Sequence, residues 1–345
     1  IFSSTHLRKR FESYKTSMQI DNALLEFARQ TLPEWSLEGA QIEPITVSEN
    51  VTFRVDKDGL SYVLRIHRSW YHTLEELESG LIWTDALRAS GIDVPEPLLT
   101  TGGKGFVTRT LPGTLESRNI GALKWVEGDV LAEVIRRDAN DTDALCRYFG
   151  QLGAIAASLH AQATDWNAPP NFKRHAFDAA GLVGEHPFWG RFWEIPQLRS
   201  EQADLLRQGR EVIADTLDRY GQPRETYSMI HADLHMHNLV LSSHGLHIID
   251  FDDAGFGWHQ FDLAVALHEY LEHKAYPEIL AALLDGYRAH RSFDSEAAKL
   301  IPLFLLVRSV MALGWVHQRP ELEQGKYIPE MIEHACRHVR RFLDA

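Results

Sequence analysis

MIHADLHMHNLVLSSHGLHIIDFDDAGFGW, residues 229–258, is the stretch that decides the reading of this chain. Leu239–Leu241 and Leu246–Ile249 are two short apolar runs, and Ser242 to Gly245 supplies the turn chemistry between them, so the text predicts a hairpin. Antiparallel pairing brings the two open ends of a hairpin together. The polar residues sit at those ends: His231, Asp233 and Asn238 before it, Asp250, Asp252 and Asp253 after it. Carboxylates gathered in this way raise one another's pKa unless a cation lies among them. An all-oxygen donor set of carboxylates and an amide suits Mg²⁺, which completes its shell with water and substrate phosphates.

The spacing His231-Ala232-Asp233-Leu234-x-x-x-Asn238 followed by Asp250-Phe251-Asp252 resembles the catalytic segment of kinases, H-R-D-L-x-x-x-N and then D-F-G. Ala232 stands where many protein kinases carry Arg, and Asp252 where they carry Gly. With both departures the text is similar to the aminoglycoside phosphotransferase and choline-kinase-like superfamily. The N-terminal text YVLRIHR (62–68), the connector Trp125-Val126-Glu127-Gly128, the segment LGAIAASLHA (152–161) and Phe261-Asp262-Leu263-Ala264 belong to the same likeness. Within the superfamily the branch with type II homoserine kinase-like proteins and the bacterial stress-response Ser/Thr kinase looks nearest.

The resemblance implies an α+β, bilobal protein-kinase-like fold: an extension over 1–18, a β-rich nucleotide lobe over 19–123, a hinge at 124–129 and a mainly helical lobe over 130–345, with ligands in the cleft that such a connector leaves. It implies transfer of the γ-phosphoryl group of ATP, with Mg²⁺, to a hydroxyl of a small molecule. Asp233 is then the base that holds and deprotonates the acceptor hydroxyl. Asn238 and Asp250 hold the metal, with Asp252 as a further ligand, while His231 and Asp262 support the loop. Arg65 occupies the place of the strand lysine that meets ATP phosphates, and it forks differently from lysine. Ser48 and Asn50 flank the turn that covers the phosphates, which lacks the kinase glycines. Trp125 and Val126 line the nucleotide site. The pattern puts a helix glutamate where this chain has Gly80, so Glu76, one turn earlier on the same face, is the expected partner of Arg65.

The rest of the sequence frames this reading. A chain of 345 residues allows about two domains. Its apolar fraction of 44% is that of an ordinary globular protein. Lys plus Arg is 35 against Asp plus Glu 48, a net charge of −13, which argues against nucleic acid or an anionic membrane as the main partner. Two cysteines exclude a disulfide framework and any multi-thiolate metal site. The first residues carry no apolar signal core, and the apolar run Ile301 to Val316 is broken by Pro302 and Arg308, so a cytoplasmic protein is expected. Oligomeric state and the identity of the acceptor are not encoded in any motif.

Periodicity predicts a helix from Asp21, strands over 42–55 and 61–67 around a Lys57-Asp58-Gly59 turn, and a helix over 73–90 capped by Thr73. Further short strands run to Leu123–Val126, and the chain beyond Val130 reads as mostly helical. Other readings stand beside the leading one. His231, His235 and His237 with Asp233 suggest zinc, if a helix holds them. Asp250–Asp253 reads alternatively as a solvated acidic turn, Gly255 and Gly257 as turn glycines, and Arg308 as the partner of a buried carboxylate. A protein acceptor and a catalytically silent nucleotide-binding protein are the competing functions.

Overall fold

The computed structural model describes residues 22–47, 50–137, 141–320 and 323–344. Asp21 and Ser48 lie outside the described residues. The chain forms two compact units. One takes in the described residues up to Arg88 with Asp93–Glu127 and Asn171–Lys173; the other takes in Ala89–Ile92, Gly128–Pro170 and the chain from Arg174.

The first unit is built on an antiparallel sheet of β1 (Gln41–Val47), β2 (Val51–Lys57), β3 (Leu60–Ile66), β4 (Pro97–Leu98), β5 (Phe106–Thr110) and β6 (Ser117–Lys124), in the order β1-β2-β3-β6-β4 with β5 also on β6. The β2–β3 link is two residues long, and Asp58 (φ +52°) and Gly59 (φ +78°) are both left-handed, the backbone that matches strand twist in a tight hairpin. Glycine bears that conformation without strain, and an aspartate tolerates it better than most residues. Along β3, Leu64 and Ile66 point into the core and are fully buried, and Arg65 between them takes the other face. Phe53, Val55, Ile120 and Ala122 meet them there, and Phe27, Leu32 and Trp35 close the core from the helix Asn22–Thr31 and the turn after it. Each large side chain buried in this way contributes about 1.5–3 kcal/mol.

The helix Leu74–Ala89 begins with a capping box. The Thr73 N–H donates to Glu76 Oε2 at 2.8 Å, and the Glu76 N–H donates to Thr73 Oγ1 at 3.2 Å. The helix ends before Gly91, which is left-handed at φ +82°.

The second unit is mainly helical, with two small sheets. One has the order β11-β10-β7, from β7 (Asp129–Val130), β10 (Leu239–Ser242) and β11 (Gly245–Ile248); the other has the order β8-β12-β9, from β8 (Ala176–Phe177), β9 (Tyr227–Ile230) and β12 (Gly255–Trp258). The expected hairpin is present, paired Leu239 to Ile248 through Ser242 to Gly245. Gly255 and Gly257 are not turn glycines. They lie in β12, where a side chain on Gly255 would strike His175 and one on Gly257 would strike Ile230, so the close packing of this sheet requires them.

The helix His259–His268 runs buried from His259 to Leu267 through the unit, with the long helices Thr142–Asp165, Tyr276–Arg288 and Ile301–His317 around it. The window Ser295–His317 is long and apolar enough to cross a bilayer, but 67% of it is buried inside the fold. Its sequence is that of a core helix. Trp189 and Trp193 are core residues, at 2% and 3% exposure, and Trp166 and Trp315 are half-buried.

Candidate active site

The site is assembled where β9 leaves its sheet. The chain turns at Ala232, whose φ of +64° is uncommon for a residue with a Cβ. What holds this turn is Asp262, from the first turn of the buried helix. Its Oδ2 accepts the His231 N–H at 3.0 Å and its Oδ1 the Ala232 N–H at 2.7 Å. His160 Nε2 lies 3.0 Å from Asp262 Oδ2, and His160 Nδ1 lies 2.9 Å from the Tyr287 hydroxyl. With Asp262 accepting, His160 donates from Nε2 and takes the tyrosine proton at Nδ1. His259 stacks on His160 at 4.2 Å between ring centroids. Burial lowers both histidines well below the usual range, so both are neutral donors and acceptors. Burial raises Asp262 to about 6, the nearby His231 and the two N–H bonds partly offsetting it.

The turn delivers Asp233 beside three donors. Asn238 Nδ2 donates to the Asp233 main-chain oxygen and to its Oδ2, both at 2.9 Å. His235 Nε2 lies 3.1 Å from the same Oδ2. Arg308, from the middle of Ile301–His317, donates to Oδ1 at 2.8 Å. Burial works to raise the Asp233 carboxyl, but the His235 and Arg308 charges outweigh it and hold the group well below the usual carboxylate range. Reciprocally, Asp233 overcomes the effect of burial and raises His235. Burial lowers His237, whose Nε2 lies 3.9 Å from Glu269.

After a short turn at Met236–Asn238 the hairpin returns the chain to the same place. The Ile249 N–H donates to Asn238 O at 3.0 Å, which closes the hairpin base and sets Asp250, at φ +68°, immediately beyond it. His231 ties the two sides together. Its Nε2 lies 3.1 Å from Ile249 O, its Nδ1 accepts the Asp233 N–H at 3.3 Å, and its ring packs on Phe251 at 4.7 Å. Both ring nitrogens are therefore engaged by backbone and no helix runs through 231–235, which removes the zinc reading for this histidine. Arg174 holds the return segment by donating to the main-chain oxygens of Asp252 and Ala254. Asp250, Asp252 and Asp253 are half-buried. They are not the solvated acidic turn that composition alone allows.

The structure thus brings His231, Asp233, Asn238 and Asp262 into one hydrogen-bonded group and places Asp250 at the base of the same hairpin. The remaining expected residues lie in the first unit. Arg65 is half-buried on β3, between Thr52 and Gly121 on the flanking strands. Buried Asn50 accepts the Arg68 N–H at 3.3 Å. Glu76 closes the helix cap described above. The Trp125 N–H donates to Ser61 O at 3.1 Å and its ring carries the Arg54 guanidinium at 4.6 Å; Val126 beside it is half-buried.

Two partners of Asp233, Arg308 and His235, were not among the expected site residues. The signal for Arg308 is its charge inside an apolar helix, which demands a carboxylate but does not say which of the chain's acids, here one 75 positions away, supplies it.

Residues 41–300 match the phosphotransferase enzyme family. Amicoumacin kinase of Bacillus subtilis (strain 168) is 24% identical over 303 residues, covering 85% of this chain and 84% of that protein. A microcompartment-associated aminopropanol kinase is 27% identical, with a TM-score of 0.79 over 93% of this chain and 98% of that one. The amicoumacin kinase hAmiN, solved with AMP-PNP, Ca²⁺ and Ami, shares the fold at 19% identity, with a TM-score of 0.74 over 95% of each chain. This chain belongs to the phosphotransferase enzyme family.

Proposed function

We propose that the protein transfers the γ-phosphoryl group of ATP, with Mg²⁺, to a hydroxyl of a small molecule, and that Asp233 receives the hydroxyl proton. The observation that carries the reading is the arrangement of Asn238. Its Nδ2 is committed to Asp233, so its Oδ1 is the ligand atom it has left to offer, at the base of the hairpin that also ends in Asp250. Asn238 and Asp250, with Asp252 as a further oxygen donor, form a hard donor set that fits Mg²⁺. Bound there, the ion would neutralise charge on the phosphates.

Asp233 orients the acceptor. The hydroxyl oxygen forms the new bond to phosphorus as the bond to the β–γ bridging oxygen breaks, ADP leaves, and the hydroxyl proton passes to the carboxylate. Its two oxygens are fixed by Arg308, Asn238 and His235, so the geometry is set before the acceptor arrives. Such a transfer asks the protein for position and charge neutralisation more than for a strong base. An Asp233 carboxylate held low serves as an acceptor of the hydroxyl hydrogen bond. Asp262 supports this by fixing the backbone of 231–232, and His231 by joining the loop to Ile249.

Arg65 with Glu76, and Ser48 with Asn50, are assigned to the phosphates of the nucleotide, and Trp125 with Val126 to its base. Relatives named for amicoumacin and aminopropanol support a small acceptor over a protein acceptor. Dependence on ATP fits a cytoplasmic setting.

The test is Mg²⁺-dependent ATP turnover in the wild type, Asn238→Ala and Asp250→Asn. Each substitution is expected to raise the Mg²⁺ concentration needed for half-maximal rate by about tenfold or more, as loss of a charged or amide ligand does. An unchanged Mg²⁺ response in both variants contradicts the assignment.

A further inference from the structure

Arg308 has more capacity than its contact with Asp233 uses. It sits in a helix whose neighbours Leu305, Leu306, Val307 and Val310 are buried, and an arginine there is costly unless it is paired. One nitrogen, Nη2, donates to Asp233 Oδ1. The guanidinium plane is steadied over the buried Trp189 ring at 5.6 Å. Among the described residues the other N–H groups of Arg308 have no protein acceptor, and the side chain keeps 21% exposure. A fixed fork with open donors is what recognises a planar anion.

Asp233 tells where that anion belongs. Its Oδ2 is engaged by both Asn238 and His235, whereas Oδ1 has Arg308 alone. Oδ1 therefore retains the lone pair for an incoming hydroxyl, which would lie at about 2.7 Å. The hydroxyl and the guanidinium then share one carboxylate oxygen and are neighbours. An acceptor with a carboxylate about one to three carbons from its hydroxyl reaches the open N–H groups, whereas an ammonium group at that point meets a cation.

We infer that Arg308 is a specificity residue of the acceptor site and that the acceptor is a hydroxy acid, its carboxylate held by the guanidinium while its hydroxyl rests on Asp233. This deepens the phosphotransferase reading and rests on it.

The experiment uses the full chain with MgATP and matched acceptors: 2-, 3- and 4-hydroxy acids, the primary amide of each, and 1-amino-2-propanol as the cationic comparison. ADP release is followed with phosphorus NMR of the product. In the wild type an acid is expected to exceed its amide in kcat/KM by about tenfold or more, and the amine by at least as much. Arg308→Gln should bring the acid-to-amide ratio to about one, and Arg308→Lys should keep part of it. A ratio taken within one variant divides out any effect of the substitution on Asp233 itself. Where no acceptor yields product, the same pairs are read on slow Mg²⁺-dependent ATP hydrolysis, which acids and not amides should alter saturably in the wild type. Amide or amine matching the acid, a ratio that survives Arg308→Gln, or hydrolysis indifferent to every acid overturns the inference. Failure of the underlying reading is separate: there, ATP turnover does not depend on Asp233 at all.

Discussion

Asp233 and Asp262 are 29 positions apart in the same unit, the first half-buried and the second fully buried, and their carboxyls move in opposite directions. Asp262 is held by two backbone N–H groups and a neutral histidine, and burial outweighs these bonds and the nearby His231, raising it to about 6. Asp233 is met by Arg308 and His235, and their charge overcomes burial. Dipoles can satisfy a buried carboxylate, but charges decide its ionisation. The difference also divides the labour: Asp262 holds backbone, and Asp233 stays ionised and open on one oxygen.

The comparison can be broken first at Asp262. Asp262→Ala removes the acceptor of two buried N–H groups and of His160, and it should cost about 3–5 kcal/mol, read as a lower denaturation midpoint in urea. Activity should fall by at least about a hundredfold, because the left-handed turn at Ala232 loses its anchor. A variant as stable as the wild type would mean that the clamp is incidental.

The opposite displacements also predict pH behaviour. A carboxyl raised in the folded state binds its proton more tightly than in the unfolded chain. Its contribution to stability is therefore fully present below the unfolded pKa, near 4, and is lost as pH rises through about 6. Asp233 is lowered, so its contribution is present above about 4 and is lost as pH falls below that. Thermal unfolding from pH 4 to 7 should show an Asp262-dependent gain on acidification through about 6, absent from Asp262→Asn. Activity should move the other way, falling below about pH 6 as Asp262 takes up the proton. A flat activity profile from pH 5 to 7 would contradict the pairing of these two aspartates.

The smallest expected effect lies one shell out. Tyr287→Phe removes a single buried hydrogen bond to His160 and should cost about 1 kcal/mol, a shift of about 2–4 °C in Tm, with little change in rate. A large loss of rate would show that His160 orientation controls Asp262 more directly than the geometry indicates.

Much of this was legible along the chain because it is local. The two apolar runs around Ser242–Gly245 specify the hairpin, and a hairpin necessarily juxtaposes Asn238 and Asp250. Thr73 and Glu76 show their cap at a spacing of three residues, and Lys57-Asp58-Gly59 shows its turn. The less legible features depend on distant contacts. Gly255 and Gly257 look like turn residues until His175 and Ile230 are seen against their α-carbons. The partner of Arg308 is fixed only when Ile301–His317 packs beside the loop, and the Tyr287–His160–Asp262 chain spans three helices. Ser48 lies outside the described residues, so its expected phosphate contact rests on the sequence.

The central claim is that the loop held by Asp262 presents Asp233 to a hydroxyl while Asn238 and Asp250 stand ready for the metal. Single-turnover transfer from MgATP to an acceptor, in the wild type and in Asp233→Asn, addresses it most directly. The account predicts a rate lower by about a thousandfold or more in the variant, with ATP affinity within a few fold of wild type. Equal rates in the two proteins would contradict it.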